Sequence, residues 1–156
     1  MDWYELTKWL HILGSTVLFG TGAGTAFQMV MAMRGRDPKV VATVAKNVVI
    51  ADWVFTTPAG ILQPITGIIL VYLAGYSLSA PWLLLVYALY TIAFLAWAPV
   101  VWLQHRIRDL AAASAASGQP LCKKCLRYYR FWFTLGWPAF IALMGIFWLM
   151  ISKPHL

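Results

Sequence analysis

Few side chains in this sequence could do chemistry, and their spacing narrows the choice further. His11 sits near the start of an apolar run, KWLHILGSTVLFGTGAGTAFQMVMAM, from Lys8 to Met33. Ionisable groups are costly inside a membrane segment, so a histidine there is first read as functional, either as an iron or copper ligand or as a hydrogen-bonding link to another helix. On a helical wheel, Gly14, Ser15, Leu18, Gly22, Thr25 and Met29 fall within about 60° of His11. A face of small residues beneath an imidazole admits either a close helix or the edge of a flat cofactor. The cofactor reading suits haem b, with His11 as the metal ligand. A second axial ligand is not assigned: His105 belongs to the opposite side of the membrane and His155 to the C-terminal tail. Met144, Met150, an exogenous ligand, a subunit-shared site and five-coordination stay open.

A second set of polar residues runs Asp52, Thr56, Ala59, Gln63 and Thr66, with steps of four, three, four and three that place them on one helical face. Such a line is either glue between helices, with Asp52 paired to a basic loop residue, or a polar wall beside a cofactor. Cys122 and Cys125 form a CxxC flanked by Lys123 and Lys124, which should lower the thiol pKa. A tetrahedral zinc site needs more ligands than these, so the plain reading is two incidental thiols. Met29 and Met33 share a face, and apolar filling explains them better than Cu(I) binding. GTGAGT at 20–25 lacks the preceding strand of a nucleotide-binding loop. No Ser-His-acid set, paired carboxylates or HExxH motif is present.

The elements that must position these residues are membrane spans. Hydrophobic residues make up 62% of the 156, charged ones only 11%, and the mean hydropathy is +0.73. This is an integral membrane composition. Four apolar segments, about 10–33, 48–72, 82–103 and 131–151, are each long enough to cross a bilayer as a helix, and they do not alternate as barrel strands would. One membrane domain, 1–156, is expected, all-α and built as a four-helix bundle. Ten of the twelve Lys and Arg fall in the connections 34–47 and 104–130. That bias makes both connections cytoplasmic and puts the N-terminus and C-terminus outside. It also accounts for the net charge of +7 without nucleic acid. The first half of 104–130 should continue the third span as a helix until Gly118 and Pro120 stop it. Pro58, Pro64, Pro99 and Pro138 should bend their spans and free carbonyls that neighbours must satisfy. Trp3, Tyr4 and Trp9, and at the other side Tyr128, Tyr129 and Trp132, suit interfacial belts. The acidic, aromatic N-terminus does not read as a signal peptide. Gly20 and Gly24 form a GxxxG pair that packs another helix, in the bundle, across a homodimer or in a larger membrane complex.

Taken together, KWLHILGSTVLFGTGAGTAF, TTPAGILQPITG, WAPVVWLQHRIRDLA and GWPAFIALMGIFWLMISKP resemble a family of bacterial integral membrane proteins of four spans and no assigned function. More distantly, Lys8, Leu10 and His11 are similar to the opening pattern of the haem-containing membrane protoporphyrinogen oxidases and of the copper-resistance D proteins. That likeness implies His11 as a haem ligand and makes porphyrin or copper chemistry worth testing. The tryptophan-rich sensory proteins do not align. The expectation is an inner-membrane protein with a haem or porphyrin site in the outer half of the bundle, formed by His11, Gly14, Ser15, Gly22, Gln63 and Thr66. It would serve electron transfer or porphyrin oxidation. A non-catalytic membrane module, such as an accessory subunit or small transporter, is the rival class, and copper handling is a third.

Overall fold

The computed structural model describes residues 2–154, and every regular element in that range is helical. Helix α1 spans Trp3–Gly35. It starts where the Asp2 carboxylate accepts the Glu5 N–H at 2.7 Å, and it ends at Arg36, whose φ of 54° closes the last turn in left-handed conformation. Only Arg36 and Asp37 then separate it from α2, Pro38–Ala51, because Asp37 caps the new helix by accepting the Lys39 N–H at 2.8 Å and Pro38 enters at its first turn. The connection 34–47 is therefore mostly helical, and its basic residues ride on helix ends.

From α2 the chain passes through a π-helical turn, Asp52–Thr56, directly into α3, Thr57–Leu73. The cause lies in Pro58, which offers no N–H and whose ring crowds the carbonyl four residues before it. The helix widens there, and the Thr57 N–H reaches back to the Asp52 carbonyl. A turn with Gly75 at φ 71° leads to α4, Pro81–Ser117. As its sequence suggests, α4 runs past the apolar segment and stops at Gly118, whose φ of 66° suits a residue without Cβ. Helix α5 spans Lys123–Ser152.

The four helical runs are all long and apolar enough to cross a membrane, so the protein is an all-α integral membrane bundle. Their up-and-down order gathers the ten basic residues at one end and the termini at the other. Helix α1 packs on α3, while α4 carries α2 on one side and α5 on another. At the basic end, Met29, Met33, Val41, Ala45, Ile107 and Cys125 belong to one buried cluster that ties these pairs together. A smaller cluster, Val71, Trp82, Leu83, Val86 and Leu149, closes the end near the termini. Between the two clusters the α1–α3 pair and the α4–α5 pair stand apart. Aromatic contact of Phe19 with Phe140 and Phe147 bridges the gap locally. A second bridge answers a proline: Pro64 cannot bond the carbonyl of Gly60, and the Tyr90 hydroxyl of α4 donates to it instead.

Candidate functional site

His11 lies in the seam between α1 and α3. Its Nδ1 is 2.7 Å from the Thr66 hydroxyl, which is also 2.7 Å from the Leu62 carbonyl. The carbonyl can only accept, so both contacts are satisfied when the hydroxyl donates to Leu62 and His11 donates from Nδ1, which leaves the lone pair on Nε2 free. One turn away, Gln63 Nε2 donates to the His11 carbonyl at 3.0 Å. The same amide fills the groove over Gly14, where an added Cβ would come within 2.7 Å of it. His11, Gly14, Gln63 and Thr66 thus meet in this seam. Ser15 instead bonds back to the Ile12 carbonyl at 2.8 Å, and Gly22 stands further along α1, open to a cavity.

That cavity, of about 790 Å³, occupies the gap between the helix pairs. Leu18, Gly22 and Thr25 face it from α1, and Phe94, Trp97, Phe133, Trp137 and Phe140 give it aromatic walls. Ile61, Ile65, Phe94 and Trp137 are also exposed on the outside of the bundle, so its sides reach the lipid-facing surface. Its floor, toward the basic end, is polar. Asp52 and Gln104 are only 4% and 3% exposed, and Trp132 only 6%. Asp52 Oδ1 accepts from Thr56 at 2.9 Å. Asp52 Oδ2, Gln104 Oε1, Trp97 Nε1 and Trp132 Nε1 are all buried without a partner, and all four residues line the cavity. The ion pair expected between Asp52 and a basic residue does not form. Among the described residues the one salt bridge joins Arg108 to Asp109, outside the cavity. Trp132, expected at the membrane interface, is drawn into the core because its face of α5 packs toward α4.

Of the six residues expected to form a haem site, only Gly22 lines the cavity. His11 offers one free nitrogen, but Gln63 fills the groove beside it. The cavity begins at Leu18, about 10 Å along the helix from His11 at 1.5 Å per residue. Met150 packs against the cluster near the termini, Met144 is half-exposed, and His155 lies outside the described residues. No group of three or more His, Cys, Asp or Glu suited to a metal ion occurs among the described residues.

The CxxC has structural duties. Cys122 caps α5, its sulfur accepting the Cys125 N–H at 3.3 Å, and Cys125 is fully buried with its thiol turned to the Ile107 carbonyl. At this basic-end turn, ahead of the apolar segment, burial pushes the Cys125 thiol up to about 11. The lysines do not lower it as their nearness in sequence suggests, since burial disfavours the thiolate.

The floor residues on α4 share a pattern visible in hindsight: Ala93, Trp97, Val100 and Gln104 recur at four, three and four and line one face. The model of a family described as predicted integral membrane protein (DUF2269) matches residues 5–154. The chain belongs to that family. The match bears out the likeness to a four-span membrane family of no assigned function and carries no link to haem oxidases or copper-resistance proteins. No curated protein and no solved structure matches the chain.

Proposed function

We propose that this protein binds a membrane-soluble small molecule in the cavity between its two helix pairs, with the molecule's polar head on the floor formed by Asp52, Trp97, Gln104 and Trp132. The observation that carries the reading is that four residues lining one apolar cavity each hold a buried polar atom without a partner. Inside a bilayer an unpaired polar group costs several kcal/mol, and a ligand that bonds these groups would relieve that cost. The volume suits small-molecule sites, which run to roughly 300–1,000 Å³. The basic end faces the cytoplasm of an inner membrane in this reading, so the floor lies toward that side. Organic extraction of the protein purified in mild detergent, followed by mass spectrometry, is expected to release one enriched amphiphile. The Asp52→Leu/Gln104→Leu variant should release much less of it. Equal recovery from both proteins overturns the reading.

The hydrogen-bonding state of His11 favours a second reading. An Nδ1 held by Thr66 orients Nε2 as metal-binding histidines are oriented, which supports His11 as a single haem or copper ligand at the rim near the termini. Protein prepared with a haem supply would then show a Soret band that His11→Ala removes. A colourless protein rules haem out, and copper is ruled out when the metal content by mass spectrometry is the same in the parent and in His11→Ala.

A further inference from the structure

We infer that the cavity's ligand is a hydroquinone, or a close dihydroxy-aromatic relative, carrying an apolar tail; this rests on the cavity being a binding site, as proposed above. The floor sets two demands at once. With Asp52 ionised, its Oδ2 and Gln104 Oε1 are acceptors without a donor, and Trp97 Nε1 and Trp132 Nε1 are donors without an acceptor. A protonated amine has no lone pair and serves only the acceptors. A fatty carboxylate serves only the two indoles and sets its charge against Asp52. A hydroxyl both donates and accepts, so a head with two hydroxyls matches both kinds of atom.

The walls choose among dihydroxy heads. Phe94, Trp97, Phe133, Trp137 and Phe140 line the cavity, and a flat aromatic head gains offset or edge-to-face packing with such rings that a glycerol head does not. The sides of the cavity supply the rest. Ile61 and Ile65 on α3 and Phe94 on α4 line the cavity while also exposed on the bundle surface, which leaves an apolar route for a tail into lipid. Such a molecule would enter from the bilayer and bind head first toward the basic end.

The test uses the full chain in phosphatidylcholine nanodiscs, titrated under reducing conditions with a decyl-substituted para-benzohydroquinone. Parallel titrations use oleylamine, oleic acid and monooleoylglycerol, and apparent affinities are read from the shift in thermal midpoint. The hydroquinone should bind at least tenfold more tightly than the other three. Asp52→Leu and Gln104→Leu should each weaken it about tenfold, and Trp132→Phe, which keeps a ring and removes the N–H, by about fivefold. Asp52→Asn, which keeps an acceptor, should weaken it by no more than about threefold. Helical content by circular dichroism separates these effects from misfolding. If monooleoylglycerol or oleylamine binds as tightly and is equally sensitive to Asp52→Leu, the cavity reading stands and the hydroquinone assignment falls. If no probe shifts the midpoint and nothing is recovered by extraction, both fall.

Discussion

Near the termini, the polar groups of the second span are paired across the α1–α3 seam, His11 Nδ1 with Thr66 and Gln63 Nε2 with the His11 carbonyl. About four turns further along the same span, Asp52 meets Gln104, Trp97 and Trp132 around a space, and each of the four leaves a buried atom unpaired. The two regions lie on one helical stripe and obey the same desolvation cost, yet one answers it within the protein and the other only in part, through Thr56. A closed network holds helices together, whereas an open one beside a cavity calls for a further molecule.

The largest effect expected from this contrast is at the floor. Replacing Asp52 by Leu together with Thr56 by Val removes a carboxyl and its hydroxyl partner from the membrane interior. The ligand-free protein should gain about 2–3 kcal/mol, measured by reversible unfolding in mixed micelles. A loss of stability would show that the floor is already satisfied. At the seam the sign reverses. Thr66→Val leaves His11 Nδ1 without its partner and should cost about 2 kcal/mol in the same assay, while a neutral result would dissolve the distinction between the two regions. Glycines sharpen it further. Gly14→Ala pushes a Cβ to 2.7 Å from the Gln63 amide and should cost about 1 kcal/mol by forcing that amide off the His11 carbonyl. Gly22→Ala adds its Cβ where nothing lies within 4 Å and should stay within about 0.5 kcal/mol of the parent. The smallest effect lies at the basic end. A thiol raised to about 11 gains thiolate only as the pH approaches that value. Between about pH 7 and 9 a maleimide should therefore label Cys122 and spare Cys125 in the folded protein. Rapid double labelling would show that Cys125 is not buried.

Much of this was legible in the residues. Long apolar runs of the right length give four spanning helices, the four-three spacing puts Asp52 to Thr66 on one face, and that whole face is buried. The nearness of His11 to Gln63 and Thr66 follows from the same kind of reasoning. The floor was not legible, because it is assembled from three helices and only Asp52 announces itself as polar within a span. Gln104 reads as the start of a loop until α4 is seen to continue through it, and Trp132 reads as an interfacial anchor until α5 is placed. Periodicity reports which residues share a helix face. It carries no information on which two helices stand apart, and that separation is what creates the cavity.

The π-helical turn at Asp52–Thr56 marks the place where the second span changes companions. Before it, α2 lies along α4; after it, α3 lies along α1. One continuous span therefore acts as the strut between the two halves of the molecule. Pro58, which has no donor to offer a ligand, stands at the joint where the span passes from one half to the other.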